Sequence, residues 1–233
     1  MRINLKRKMP SFVAGLVVIP VAMVLFGANL TSGAARDTAE PVAAPLVDAS
    51  VAAAPAEDTA VFAGGCFWGV EAVFEHVKGV KNAISGYAGG DVAGPSYEQV
   101  SSGATGHAES VEVIYDPSQV SYGKLLQIFF SVAHDPTQLN RQGPDRGTQY
   151  RSAIFYTNAQ QQKVVESYIR QLAAAKTFSR PIVTQVAKLG GFYPAEEYHQ
   201  NYLEQHTNQP YIVINDLPKI AALKKQFPDI YRN

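Results

Sequence analysis

The sequence has almost no sulfur and no excess charge. Cys66 is the single cysteine among 233 residues, which excludes an intrachain disulfide framework and any cysteine-rich zinc or iron–sulfur site. The 20 basic residues balance the 20 acidic residues, which excludes a nucleic-acid binder held by bulk positive charge. Charged residues make up 17% of the chain and hydrophobic residues 46%, so global disorder is excluded and a sizeable core is possible.

The N-terminal part differs in composition from the rest. Residues 1–8 carry four basic side chains and no acidic one, and an apolar run follows from Phe12 to Phe26. This pattern is typical of an export signal, and counted from Met9 to Leu30 the run is also long enough to span a bilayer. We therefore predict that residues 1–35 are a signal peptide or a retained membrane anchor. Both alternatives place the folded part outside the cytoplasm, in the periplasm or the extracellular space.

Residues 36–58 are rich in alanine, proline and acidic side chains. A segment of that composition cannot bury a core, so it is predicted to be a flexible linker. The folded domain is then expected to cover residues 59–233, with a C-terminal tail.

Within the domain, strand patterns alternate with helical periodicity. Strands are predicted at 60–63, 111–115, 152–156 and 182–186, and helices from Cys66 to about Gly79, from Ser121, and over 158–176. This order predicts an α+β fold, a two-layer sandwich of a mixed, mainly antiparallel sheet with helices and a ferredoxin-like core. The polar loop 134–151 is long enough to suggest a functional role.

Cys66 follows a predicted strand and two glycines and lies in the first turn of a predicted helix. The free N–H groups and the positive dipole end of that turn favour a thiolate, so a lowered pKa is expected. A lone cysteine is commonly a small buried apolar side chain, but an unpaired thiol beside Gly64-Gly65 in an exported protein favours a reactive role. Trp68 lies off the apolar face of this helix and is expected in a cavity wall beside the sulfur.

A series of motifs occurs in order over residues 60–213. They are Gly64-Gly65-Cys66-Phe67-Trp68-Gly69, Ser85-Gly86-Tyr87-Ala88-Gly89-Gly90, Ser96-Tyr97, Gly106-His107-Ala108-Glu109, His134-Asp135-Pro136, the run 141–152, and the run 195–200. This ordered set resembles the motifs of the peptide methionine sulfoxide reductases of the A type, here as a single-cysteine variant. The resemblance implies repair of oxidative damage: thiol-dependent reduction of methionine S-sulfoxide, in proteins, peptides or free form, through a Cys66 sulfenic acid.

The resemblance also implies roles for individual residues. Cys66 is expected to attack the sulfoxide sulfur, and Glu109 to give a proton to the oxygen. An acid is needed because a sulfoxide oxygen leaves poorly unless it is protonated, and burial beside aromatic rings would raise the pKa of a carboxyl. Considered without the family, Glu109 is more often an exposed strand carboxylate.

The remaining residues of the site follow from the same resemblance. Tyr97 and Tyr150 are expected to hydrogen-bond the sulfoxide oxygen, and Asp145 to support them in the same pocket. Phe67 and Trp68 are expected to bind the substrate methyl group.

Two other classes stay open on the residues alone. A cysteine hydrolase or acyltransferase would need a histidine within hydrogen-bond reach of Cys66, and a membrane-tethered peptide-binding module would only bury the thiol. The sequence has neither a Gly-x-Cys-x-Gly elbow nor a His-Glu-x-x-His motif. Glu196, Glu197 and His199 resemble metal ligands, but such pairs are usually surface or hydrogen-bonding groups, so neither a metal nor a bound cofactor is expected.

The single cysteine also predicts how the enzyme is regenerated. A Cys66 sulfenic acid has no second thiol in the chain to condense with. The reductant must therefore be external, a thioredoxin-like or glutaredoxin-like protein or a small thiol. We expect a monomer whose partners are this reductant and oxidised proteins and peptides, with no nucleic acid and with a membrane tether if the N-terminal segment is retained.

Overall fold

The structure, a computed structural model, describes residues 40–49 and 52–233. The predicted signal or anchor, residues 1–35, lies outside the described residues. Within the described ranges, no helix is both long and apolar enough to cross a membrane.

The described chain contains more strands and helices than the sequence pattern predicts, and each predicted strand and helix overlaps one of them. In chain order they are β1 (Asp58–Gly64), α1 (Phe67–Glu75), β2 (Val80–Ala88), α2 (Tyr97–Ser101), β3 (Ala108–Tyr115), α3 (Tyr122–Ile128), β4 (Arg141–Gln142), β5 (Asp145–Arg146), β6 (Ser152–Tyr156), α4 (Ala159–Ala174), β7 (Gln185–Lys188), β8 (Phe192–Pro194), α5 (Tyr202–Gln205), α6 (Pro210–Asn215) and α7 (Leu217–Gln226). A π-helical turn, Phe129–Ala133, continues α3, and short 3₁₀ turns cover Thr148–Tyr150 and Glu197–His199.

The main sheet has six strands in the order β7-β6-β1-β3-β2-β8. The central four, β6-β1-β3-β2, pair antiparallel, with α1 connecting β1 to β2 and α3 lying between β3 and β6. This is the strand order of a ferredoxin-like core. β8 extends the sheet antiparallel to β2, and β7 extends it parallel to β6. The predicted α+β fold with a mixed, mainly antiparallel sheet is confirmed.

The core lies between the sheet and the helices. In β1, Ala60 and Phe62 belong to the main core cluster, whereas the alternate residues Val61 and Ala63 belong to a smaller cluster on the opposite face. The Phe62 ring stacks on Phe74 of α1 and on Phe129 after α3, at centroid distances of 5.0 Å each. This packing holds the C-terminal turn of α1 against β1.

The seventh strand begins later than predicted. The sequence pattern placed it at 182–186, but β7 runs from Gln185 to Lys188. The backbone N–H of Val183 instead donates to the carbonyl of Pro136, 2.8 Å away. The apolar residues at 182–183 therefore join the loop that follows α3 rather than the sheet.

Residues 40–49, here called the N-terminal strap, lie against α3 and α4. The backbone of Val42 accepts a hydrogen bond from the Gln127 side chain at 2.8 Å, and the carbonyl of Ala43 accepts one from the Tyr168 hydroxyl at 2.7 Å. The Gln171 amide binds the carbonyl of Ala44 and the N–H of Leu46. These side chains satisfy successive backbone groups, as a neighbouring strand would.

The end of the strap holds the N-terminus of α3. Asp48 accepts hydrogen bonds from the Ser121 hydroxyl at 2.6 Å and from the Gly123 N–H at 2.7 Å. Val42 and Ala49 also pack against the main core. The prediction that this part of the linker contributes nothing to the core was wrong, because polar side chains on α3 and α4 supply partners for a backbone that has few large apolar side chains of its own.

Candidate active site

Cys66 lies where β1 turns into α1. Gly65 makes the turn with φ +99°, in the left-handed region that favours glycine, and a Cβ there would lie 2.6 Å from the Gln142 side chain. Cys66 is the N-cap residue of α1, and its side chain is 9% exposed. The sulfur is therefore a buried group at a helix N-terminus.

Glu109 projects from β3 to the same helix end. Its side chain is 2% exposed, and Oε2 accepts a hydrogen bond from the backbone N–H of Phe67 at 3.1 Å. Burial raises the pKa of Glu109 to about 8, and the negative charge of Asp145 adds to the effect, against the opposing Phe67 N–H. At neutral pH this carboxyl is therefore protonated in most molecules. It contacts the backbone of Phe67, the residue that follows Cys66. The alternative of an exposed strand carboxylate is therefore wrong.

The thiol of Cys66 does not have the lowered pKa that its place in the helix predicts. Burial raises its pKa well above the usual value, and the negative charges of Glu109 and Asp216 raise it further. The Trp68 N–H and the Lys219 ammonium act in the opposite direction. In the free site the sulfur is a thiol, and the prediction failed because desolvation outweighs the helix dipole.

Tyr97 and Tyr150 lie near the same two groups. Tyr97 is the first residue of α2, and Tyr150 ends the 3₁₀ turn before β6. Burial raises the pKa of both phenols, and the charges of Glu109 and Cys66 contribute to each shift. Two neutral hydroxyl donors are thus available beside the thiol and the carboxyl.

Asp145 is held by a tyrosine that the sequence did not single out. The Tyr211 hydroxyl on α6 donates to Oδ2 of Asp145 at 2.5 Å. Burial raises the pKa of Asp145, while the Tyr211 hydrogen bond and the Lys219 charge lower it. The charge of Asp145 contributes to the raised pKa of both Glu109 and Tyr150, so Asp145 lies at the edge of the same site.

Aromatic rings form the apolar side of the site. Phe67 is fully buried against Tyr87, with ring centroids 5.9 Å apart. Trp68 stacks on Tyr202 at 3.8 Å and meets the edge of Tyr211 at 6.0 Å. Its indole N–H donates to Nδ1 of His199 at 3.1 Å, so the ring orientation is fixed by a hydrogen bond as well as by stacking.

Glu196 and His199 are positioning residues that the sequence left among surface or hydrogen-bonding groups. One Glu196 oxygen accepts from the Tyr97 N–H and the other from the Tyr87 hydroxyl, both at 2.9 Å. Glu196 thus ties α2, and with it Tyr97, to β2. The signal for both residues was the motif over 195–200, whereas nothing in the sequence marked Tyr211.

The histidine needed for acyl transfer is not beside the thiol. His134 is bonded to the Phe129 carbonyl and the Ser152 hydroxyl, and His199 is bonded to Trp68. Across the described ranges no histidine hydrogen-bonds Cys66. The site instead combines a thiol, a protonated carboxyl, two phenols and an aromatic wall, which suits attack on a centre whose oxygen must be protonated.

Comparisons with known proteins agree with this geometry. A family model described as peptide methionine sulfoxide reductase matches residues 58–230. The chain is similar to peptide methionine sulfoxide reductase MsrA 2 of Mesorhizobium japonicum, with 60% identity over 77% of this chain and 92% of the relative. It is similar to the enzyme MsrA of Chromobacterium violaceum, with 48% identity over 76% of this chain and 99% of that one.

Solved structures give the same result. Methionine sulfoxide reductase A of Corynebacterium diphtheriae superposes with a TM-score of 0.57 and 36% identity, covering 76% of this chain and 88% of that one. Mxr1 of Saccharomyces cerevisiae in reduced form superposes with a TM-score of 0.61 and 32% identity, covering 70% and 94%.

Proposed function

Since this chain belongs to the peptide methionine sulfoxide reductase family and reduces methionine sulfoxide at the expense of a thiol, we propose that Cys66 is its nucleophile and Glu109 its proton donor. The observation that carries the proposal is the contact of Glu109 Oε2 with the Phe67 N–H at 3.1 Å. It holds a carboxyl with a pKa of about 8 at the helix end that carries the only thiol.

The proposed step balances between thiol and sulfoxide. The Cys66 sulfur attacks the sulfoxide sulfur while Glu109 protonates the oxygen, and the thiol proton returns to Glu109. The protonated oxygen then moves from the substrate sulfur to the Cys66 sulfur, while the bond between the two sulfurs breaks and its electron pair stays on the substrate sulfur. The substrate is reduced to a thioether and Cys66 is oxidised to a sulfenic acid. Glu109 acts as general acid, so the leaving oxygen does not depart as a free anion.

The other predicted residues orient the substrate in this proposal. Tyr97 and Tyr150 donate hydrogen bonds to the sulfoxide oxygen, and Asp145, which is held by Tyr211, is a polar support in the same pocket. Phe67 and Trp68 bind the methyl group. A pocket that fixes the methyl group and the oxygen on different sides distinguishes the two sulfoxide epimers, and the S epimer is the proposed substrate in proteins, peptides and the free amino acid.

Regeneration is proposed to use an external thiol. Cys66 is the only cysteine, so the sulfenic acid condenses with a thioredoxin-like or glutaredoxin-like protein or with a small thiol, and a second thiol releases the mixed disulfide. Among the described residues, no three metal-ligating side chains come together.

Single-turnover chemistry tests the proposal. Without reductant, excess S-sulfoxide should yield about one methionine per enzyme, and dimedone should then label Cys66. Dithiothreitol or a thioredoxin-like protein should restart turnover, and Cys66→Ser should yield no methionine. Many cycles without reductant, activity in Cys66→Ser, or equal use of both epimers would each contradict a part of it.

The proposed location is outside the cytoplasm, on the basis of the basic and apolar composition of residues 1–35. Fusion of these residues to a reporter that is active only after export should give a signal. An inactive reporter, beside an active fusion to a known export signal, would contradict the proposal.

A further inference from the structure

A buried ion pair lies at the start of α7. Asp216, 0% exposed, precedes the helix, and Lys219, 8% exposed, donates from Nζ to Asp216 Oδ1 at 3.0 Å. Removing two charges from water is costly, and a buried pair is weak evidence for stability by itself. Its position relative to the active site is therefore the informative property.

The pair lies beside the first turn of α1. A Cβ built on Gly69 would fall 2.0 Å from Asp216 Oδ1 and 2.7 Å from Lys219 Nζ. Gly69 is three residues after the N-cap residue Cys66, and in a helix the N-cap side chain and the third residue lie on the same side. The ammonium and the carboxylate thus occupy the space where a side chain at position 69 would lie next to the Cys66 sulfur.

The ammonium has donors to spare. A lysine has three N–H donors. Within the described part of the chain, Lys219 uses one of them, in its hydrogen bond to Asp216. Asp216 Oδ2 likewise has no hydrogen-bond partner among the described residues. The pair therefore leaves both a donor and an acceptor beside a site where a thiol must become a nucleophile.

We propose that Lys219 and Asp216 set the ionisation of Cys66 in opposite directions, with Lys219 as the positioning residue that supports the thiolate during attack. Lys219 offers positive charge to the sulfur when it loses its proton, while Asp216 holds the ammonium in place and favours the thiol in the free enzyme. The proposal deepens the proposed function, since it rests on Cys66 as the nucleophile.

The electrostatics of the neighbouring groups agree with this assignment. The charge of Asp216 raises the pKa of Cys66 and that of Lys219 lowers it. Lys219 also lowers the pKa of Asp145 and of His134, so it faces several titratable groups at once. The other titratable groups that face Cys66 are Glu109 on β3, Tyr97 on α2, Tyr150 in its 3₁₀ turn and Tyr211 on α6.

The test follows alkylation of Cys66 by iodoacetamide against pH, which needs no sulfoxide. Lys219→Met should raise the midpoint of alkylation by about 1 pH unit or more, and Asp216→Asn should lower it. Lys219→Arg should stay near the wild type. The first-step rate of Lys219→Met at pH 7 should fall roughly tenfold, because the thiolate fraction changes tenfold per pH unit.

Controls separate this effect from misfolding. The double variant with Asp216→Asn and Lys219→Met carries neither charge, so its midpoint should return towards that of the wild type. Lys224→Met removes an exposed ammonium from the same helix and should leave the midpoint unchanged. A folded Lys219→Met protein with a wild-type profile, or single variants that shift the midpoint in the same direction, would overturn the proposal. Shifted midpoints without sulfoxide reduction would contradict the proposed function alone.

Discussion

Glu109 carries a proton at neutral pH because burial has a larger effect on its pKa than a hydrogen bond that favours the anion. The Phe67 N–H at the helix start favours the anion, whereas removal from water disfavours it. The pKa of about 8 shows that burial is the larger effect. A carboxyl in this state can give up a proton at neutral pH without being fully ionised beforehand, which suits a general acid.

The first residue-scale prediction concerns this proton. Glu109→Gln keeps the shape of the side chain but removes the acid, so the sulfoxide-reducing step should slow by roughly 10²–10⁴-fold. In the wild type the rate controlled by this acid should fall as pH rises through about 8, because the protonated form is lost. That alkaline decrease should be absent from Glu109→Gln in single-turnover rates measured against pH.

Glu112→Gln is the matched control. Glu112 lies on the same strand but is half-buried, and its neighbours on β1 and β2 are Val61 and Ile84. Its rate and pH profile should stay close to those of the wild type. A loss below about threefold in Glu109→Gln would assign the proton to another group, with Tyr97 and Tyr150 as the next candidates.

At the scale of elements, the N-terminal strap behaves as an additional edge of the helical layer. Its backbone groups are satisfied by Gln127, Tyr168 and Gln171, and Asp48 supplements Ser121 at the N-terminus of α3. A capping side chain at a helix N-terminus is typically worth about 1 kcal/mol. The strap therefore contributes to the stability of helices that the active site does not include.

Truncation should show this contribution. Removal of residues 1–51 should lower the free energy of unfolding relative to removal of residues 1–39, and Asp48→Ala should account for about 1 kcal/mol of the loss. Denaturant unfolding of the three proteins measures the effect, with Glu40→Ala at an exposed strap position as control. Equal stability of the two truncated proteins would show that the strap adds nothing.

Elements with a clear period were predictable from the sequence, and others were not. β3 alternates, with Val111, Val113 and Tyr115 buried between half-buried neighbours. β2 was missed because a bulge interrupts it near Val80 and Asn82 and residues 85–88 are all buried, so its pattern has no period of two. Periodicity also gave no assignment for α6 and α7.

The same division applies to the site. Motifs singled out Cys66 and Glu109, and the structure brings the Glu109 carboxyl to the helix end at which Cys66 lies. The raised pKa of Cys66 was not predictable, because it depends on desolvation and on the charges of Glu109 and Asp216, which lie far from Cys66 in the sequence. Local sequence gives the helix dipole but not the charges that tertiary packing brings beside it.

For the whole molecule, a buried and a half-buried carboxyl on α1 couple stability to pH. Burial raises the pKa of Glu71 to about 8, and the charge of Glu75 adds to this. Glu75 itself is raised to about 7 by burial and by Glu204. Such groups bind protons more tightly in the folded state than in the unfolded state. Their stabilising contribution is complete below the unfolded pKa, near 4.5, and is lost as pH rises through about 7 to 8.

Glu71→Gln should therefore flatten the stability profile. Between pH 5 and pH 8 the wild type should lose more free energy of unfolding than the variant, by about 1–3 kcal/mol. Chemical denaturation at the two pH values measures this difference, with Glu166→Gln on the exposed face of α4 as control. Parallel pH profiles for wild type and Glu71→Gln would mean that Glu71 has the same proton affinity folded and unfolded.

The docked strap also shortens the stretch of chain that can separate this domain from anything that holds its N-terminus. Because residues 40–49 lie against α3 and α4, the part of the chain that is held against the domain includes residue 40 and does not begin near 58. At about 3.4 Å per extended residue, the chain from residue 40 to residue 58 would add about 60 Å to the length of that stretch if it were free. This is twice the thickness of a bilayer core of about 30 Å. If residues 9–30 are retained as an anchor, the enzyme would stay within a thin layer above the membrane. A short connection to the anchor raises its effective concentration towards oxidised proteins in that layer. Lengthening the chain just before residue 40, rather than within 52–57, is the change that would widen that layer.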